Sequence, residues 1–251
     1  MTERRPFCVN RGRRPGVGAL SIALVAAWLV PPLHAQSSNL TGVVGISSQL
    51  VDRGVANSPA TPILQGAVSW TSPTGWSLGL SASTQVRSPG QAAETVAQVS
   101  HYWLVSENWQ FRAGLLYYGY AGDARSKVYD RAETGVSWIY RDMLTFGLSA
   151  IYVVGAGDSQ PKGAADINFL WPLAWHFSLS LGAGLAQPLE ARYSHHYGRD
   201  SDSPYSYGQA GLRWANGDWR LELARIMSDQ GRQPRGGLRT SPWVATVTWS
   251  F

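Results

Sequence analysis

The residues best suited by type to covalent chemistry stand together late in the chain: Ser194, His195, His196, Asp200, Ser201 and Asp202. A hydroxyl beside an imidazole and a carboxylate is the material of a base-activated nucleophile, and a histidine pair can also ligate a metal. The same stretch is crowded with Gly, Asp, Ser and Pro, the composition of a solvated loop, so no catalytic residue, metal site or cofactor is assigned to it. A second set is scattered but chemically coherent: Gln98, Tyr102, Arg112, Tyr118, Arg131, Glu133, Asp166, Asn168, His176, Gln209, Arg213, Arg220 and Glu222. Guanidiniums, carboxylates and amides of this kind line polar interiors. There they either pair with one another, because an unpaired charge in a confined space is costly, or select what passes. Which of these they do depends on the elements that carry them.

Those elements are strands. Trp175, Phe177, Leu179, Leu181, Ala183 and Leu185 hold one parity while His176, Ser178, Ser180, Gly182 and Gly184 hold the other. The segments starting at Trp109 and Trp243 repeat this period of two, which belongs to β-strands and not to helices. A soluble sandwich would fill its second parity with Lys and Glu. Here that parity is mainly Gly, Ser and Thr, and the first is apolar and aromatic.

Tryptophans bracket short polar turns: Trp70 and Trp76, Trp103 and Trp109, Trp171 and Trp175, Trp214 and Trp219. Large rings with an apolar body and a wet N–H suit a membrane interface, and Trp138, Trp249 and Phe251 extend the set. Trp70, Trp103, Trp138, Trp171, Trp214 and Trp249 recur at intervals of 33, 35, 33, 43 and 35 residues, one hairpin per repeat. Strands are expected at 40–52, 63–71, 76–85, 94–104, 109–120, 130–141, 144–153, 163–172, 175–186, 206–214, 219–228 and 242–251. The turns at 72–75, 105–108, 142–143, 173–174 and 215–218 are short, and the alternate connections are long. The expected fold is therefore all-β, a transmembrane antiparallel up-and-down barrel of about 12 strands, with short turns and chain ends in the periplasm and long loops outside. The first strand alternates poorly, and Arg225 breaks the parity of its own strand. The thirteen polar residues then face the lumen. Arg112, His176, Arg213 and Arg220 come near the periplasmic end and Gln98, Glu133, Asp166 and Asn168 deeper, with Arg112 expected to meet Glu133, and Arg213 or Arg220 to meet Glu222.

Residues 1–35 read as a secretory signal: Arg4, Arg5, Arg11, Arg13 and Arg14, then an apolar run from Val17 to Val30, then Pro31, Pro32 and Leu33-His34-Ala35. Residues 36–251 form the barrel domain. The signal holds five arginines and one glutamate, so the formal charge of +5 falls to +1 for the remainder, which is no argument for a nucleic-acid partner, and none is expected. The single cysteine, Cys8, leaves with the signal, removing disulfides and thiolate metal sites. The terminal Trp249-Ser250-Phe251 resembles the signature by which the barrel assembly machinery recognises outer-membrane proteins, and Arg232, Arg235 and Arg239 either serve as solubilising charges of a Gly-rich loop (Gly231, Gly236, Gly237) or meet lipopolysaccharide phosphates.

Two segments resemble the TorF-type porin family of proteobacterial outer-membrane barrels. The first is Ser47-Ser48-Gln49-Leu50-Val51-Asp52-Arg53-Gly54 followed by Pro62-Ile63-Leu64-Gln65-Gly66, and the second is Tyr117-Tyr118-Gly119-Tyr120 followed by Tyr129 and Glu133. Leu50 stands where the family has an aromatic, and the 187–205 connection is unusually long. The resemblance implies an outer-membrane barrel with a porin-like role. Together these features lead to the expectation of a narrow channel for small hydrophilic solutes, with a lipid-modifying barrel enzyme or a filled structural barrel as alternatives.

Overall fold

The computed structural model describes residues 39–89, 92–120, 130–154, 160–189, 203–229 and 238–251. Twelve strands close into one antiparallel barrel: β1 (Asn39–Ser47), β4 (Ile63–Thr71), β5 (Trp76–Gln85), β6 (Ala92–Leu104), β7 (Trp109–Gly119), β8 (Arg131–Tyr140), β9 (Leu144–Val153), β10 (Lys162–Pro172), β11 (Phe177–Ala186), β12 (Tyr205–Asn216), β13 (Trp219–Ser228) and β14 (Trp243–Ser250). Between β1 and β4 lies a separate two-stranded hairpin, β2 (Val51–Asp52) and β3 (Val55–Ala56). Each barrel strand pairs with its sequence neighbours, and β1 closes the ring by pairing with both β4 and β14. Closure leaves no edge, so every ladder N–H and C=O is satisfied within the wall, as a hydrocarbon environment demands.

The alternation becomes two surfaces. Leu40, Val44, Ile46, Leu64, Val68, Leu78, Leu80, Leu115, Leu148, Leu181, Leu212 and Leu223 stand exposed on the outside. An apolar band of this extent is stable only against lipid. The short-turn end carries an aromatic girdle: Trp76 meets His101 edge-on at 4.8 Å, His101 meets Trp103 at 4.3 Å, Trp103 meets Phe111 at 5.4 Å and Phe111 meets Trp138 at 5.2 Å. Trp109 adds Tyr140, and Trp249 stacks on Phe251 at 4.9 Å. Trp70, Trp171 and Trp219 are outward and exposed on the same rim, and Trp214 is outward and half-buried. Among the described residues no helix is long and apolar enough to cross a membrane.

Three local expectations need correction. The first strand does not run to residue 52: it leaves the wall after Ser47, and the next residues fold inward, which is why its alternation fails. Arg225 keeps its parity and faces outward, opposite Ala210 and Trp243. The strand expected from Trp175 begins at Phe177, because Trp175 and His176 form a turn with φ of 64° and 66°, closed by Phe177 N–H donating to the Ala174 carbonyl at 3.3 Å. Two consecutive positive φ values define a type I′ turn, whose twist matches that of a hairpin. His176 is therefore an exposed turn residue and not a lumen residue. Replacing His176 by glycine should stabilise the folded barrel by about 1 kcal/mol in urea unfolding, by removing the left-handed penalty of a residue with a Cβ. It should leave single-channel conductance unchanged. A changed conductance would return His176 to the lumen.

The segments 1–38, 90–91, 121–129, 155–159, 190–202 and 230–237 lie outside the described residues. With them fall the signal peptide, the Ser194–Asp202 cluster, Arg232 and Arg235.

Candidate functional site: a latched hairpin in the lumen

The hairpin turns on Arg53-Gly54, with φ of 47° and 77°. Gly54 supplies the left-handed conformation without steric cost, and the register Val51 with Ala56 and Asp52 with Val55 fixes a two-residue type I′ loop. This hairpin enters the barrel and bonds to its wall in several directions. Arg53 Nη1 and Nη2 grip both carboxylate oxygens of Glu133 on β8, the first at 3.1 Å, and Nη2 also donates to Ser149 Oγ on β9 at 3.2 Å. Arg131 Nη2 donates to Asp52. The Arg131 guanidinium lies 3.9 Å from the centre of the Tyr118 ring and donates from Nη1 to Tyr120 Oη at 3.3 Å. The Tyr120 hydroxyl donates to Glu94, which also accepts from Asn57 Nδ2 at 3.1 Å, just beyond the hairpin. Gln49 donates to the carbonyls of Ser58 and Arg239 at 2.9 and 2.8 Å and accepts from Ser241 N–H at 2.7 Å, tying the hairpin base to the approach of β14.

The tip reaches the far side. A Cβ on Gly54 would stand 2.8 Å from Tyr207 Cβ on β12 and 2.9 Å from Ser228 Cβ on β13, so only glycine lets the tip seat there. Val55 packs against a buried cluster of Ile151, Ala164, Ala186 and Tyr205. Burial pushes the Asp52 carboxyl up, but the guanidiniums of Arg131 and Arg53 outweigh it and hold it below the usual carboxylate range. Arg131, at 1 % exposure, and Glu133, at 4 %, are charges removed from bulk water. They are tolerable because Glu133 is gripped by Arg53 through two hydrogen bonds, and Arg131 meets Asp52 and adds a bond to Tyr120 and the face of the Tyr118 ring.

The hairpin stands between two lumen cavities. The larger, about 370 Å³, runs beside β1, β4 and β10 to β14 and includes Gln65, Arg213, Arg220, Glu222 and Thr246. The smaller, about 310 Å³, lies against β6 to β12 and includes Gln98, Arg112, Glu133, Asp166 and Tyr207. Four residues border both: Val51 of the hairpin, Asn168 of β10, Gln209 of β12 and Ile226 of β13.

Of the sequence-derived set, Gln98, Arg112, Glu133, Asp166, Asn168, Gln209, Arg213, Arg220 and Glu222 border a cavity. Tyr118 and Arg131 belong to the latch, and Tyr102 lies under the Arg112 guanidinium at 5.9 Å. Arg213 bridges Glu222 at 3.0 Å because register places them opposite, while Arg220 falls opposite Ala215. The expected Arg112–Glu133 pair is replaced. Register sets Arg112 against Ser137, to which it donates at 3.4 Å, and Glu133 against Leu116, and the guanidinium that meets Glu133 is Arg53. Sequence reasoning missed Asp52, Arg53, Asn57, Glu94 and Tyr120. The available signal was Val-Asp-Arg-Gly-Val, a two-residue turn flanked by valines just past the end of the supposed wall strand.

A closed twelve-stranded antiparallel barrel with an apolar outer band, an aromatic girdle and a polar, partly occupied lumen is a transmembrane barrel by construction. Among solved structures it is similar to the NanC porin, at 15 % identity and TM-score 0.51 over 85 % of this chain and 99 % of that one. It is also similar to the KdgM porin, at 9 % identity and TM-score 0.52 over 84 % and 99 %. At these identities the likeness is one of fold. No family model matches the chain, and no curated protein matches it.

Proposed function

We propose that this barrel is a porin-like channel of a Gram-negative outer membrane, passing small hydrophilic solutes through a lumen that the β2–β3 hairpin constricts. The observation that carries this is the pair of lumen cavities, about 370 and 310 Å³, which meet at the hairpin inside an apolar-coated wall and reach charged and amide groups such as Arg213, Glu222, Gln98 and Asp166. A barrel filled for structural reasons alone would have no use for two cavities sharing a border. The resemblance of residues 47–66 to TorF-type porins supports the same role, since Asp52-Arg53-Gly54 of that segment are the latch itself. In this orientation the long connections face outside, and the girdle and both chain ends of the barrel domain face the periplasm. Phe251, outward on the girdle, is the residue the assembly machinery would read, and outer-leaflet lipopolysaccharide would surround the long-loop rim.

Planar-bilayer recording of the refolded protein tests the proposal, with heat-modifiable gel mobility as the check on folding. Small discrete steps are expected from the wild type and larger ones from a protein lacking residues 51–56. Folded protein silent in both forms would overturn the channel.

A further inference from the structure

The border between the cavities is one register row of the wall. Asn168 pairs with Gly182, Gly182 with Gln209, and Gln209 with Ile226. Gly182 faces inward without a side chain, and the two amides fold over it from either side. A Cβ there would stand 2.7 Å from Asn168 Oδ1, 2.9 Å from Gln209 Cγ and 3.1 Å from Gln209 Nε2. Asn168 donates from Nδ2 to Asp166 Oδ1 at 2.9 Å, which leaves its carbonyl oxygen over the glycine. The Gln209 amide has no hydrogen-bond partner among the described residues, although it borders both cavities. Facing this row is Val51, which with Ile226 makes the rest of the border aliphatic.

Three of the cations nearby stand against their own partners, Arg53 with Glu133, Arg131 with Asp52 and Arg213 with Glu222, while the Asp166 carboxylate, one inward step along β10, is held by Asn168, and Arg220 lines the larger cavity. The narrow place therefore offers a carbonyl acceptor, an amide with donors and an acceptor, and two aliphatic surfaces, with no net charge at the row. Hydroxyl groups satisfy amides in both senses, and the C–H face of a carbon skeleton lies well on valine and isoleucine. An ion finds no opposite charge within the row itself to replace the hydration it sheds.

We propose that the row Asn168–Gly182–Gln209–Ile226, with Val51 opposite, is the selectivity element of the lumen and favours small neutral polyhydroxylated solutes over charged ones of equal size. This rests on the barrel conducting at all, so the test separates the two. Proteoliposome swelling is measured with glucose, gluconate and glucosamine, which share size and hydroxyls and differ in charge. It is done for the wild type, Asn168→Asp and Gln209→Glu, each also on an Arg53→Ala background in which the hairpin is released.

Glucose entering several-fold faster than both charged analogues, with Asn168→Asp and Gln209→Glu shifting preference several-fold toward glucosamine, supports the row. Gluconate or glucosamine entering as fast as glucose overturns it while leaving the channel intact, as does an unchanged preference in both folded variants. No swelling with any solute on either background overturns the channel reading and the row with it.

Discussion

Arg53→Ala is expected to produce the largest gain of conductance of any single substitution in this protein. The guanidinium grips Glu133 with two nitrogens and adds a bond to Ser149, and together with the Asp52–Arg131 pair it tethers the hairpin to β8 and β9. Removing one partner of a buried pair costs about 3 to 5 kcal/mol, because the other charge stays behind unpaired. Here Glu133 is that charge, at 4 % exposure. The strain is relieved if the hairpin withdraws and water reaches the carboxylate. At tenfold per 1.4 kcal/mol, a loss of about 3 kcal/mol shifts the latched-to-released balance about a hundredfold. Single-channel recording should show long open periods at a conductance several-fold above the wild type. Unchanged steps would mean that the hairpin is not what limits flow.

Acid should act on the same latch, with a definite sign. The Asp52 carboxyl is held below its ordinary range in the folded barrel, so its bond to Arg131 contributes stability that is full above about pH 3.9 and is lost as pH falls through the depressed folded value. Conductance should therefore stay flat through mild acid and rise only in strong acid.

Gly182→Val is expected to do the opposite and nearly close the channel. A valine Cβ would stand within 3 Å of both Asn168 Oδ1 and Gln209 Cγ, and its methyls extend further inward. Both contacts are with side chains rather than with backbone, so the amides must swing away from the wall into the border between the cavities. The fold should survive, since valine suits a strand and the position pairs regularly with Asn168 and Gln209. Heat-modifiable mobility should be normal while the main conductance falls by most of its value. A normal conductance would show that solutes do not pass this row.

The two substitutions also mark where sequence reasoning reached and where it stopped. Gly182 was legible as an inward position, because strict alternation from Phe177 to Ala186 leaves no other parity for it. Its role was not, because the contact it permits joins β10 to β12, and only register decides that Asn168 and Gln209 flank the same glycine. Arg213 and Glu222 could be named as a pair since they sit on consecutive strands about one short turn. Arg112 and Glu133 also sit on consecutive strands, yet they fail to meet, being offset by two inward steps along the ladder. Arg53 was visible only as part of the TorF-like segment at the start of a long connection, for nothing local in the sequence says that this connection folds back into the lumen.

By itself the sequence determined the twelve strands, the outward and inward parities and the end at which the aromatic girdle lies. These follow from a side-chain period of two and from turn chemistry, both local properties that each segment carries wherever it is placed. Only the tertiary structure decided that the chain leaves the wall after Ser47 and folds residues 51–56 into the lumen, that Arg53 takes Glu133 from Arg112, and that Asn168 and Gln209 share one glycine. Those outcomes depend on a closed ring bringing distant strands around one lumen, where buried charges must find partners from whichever element can reach them.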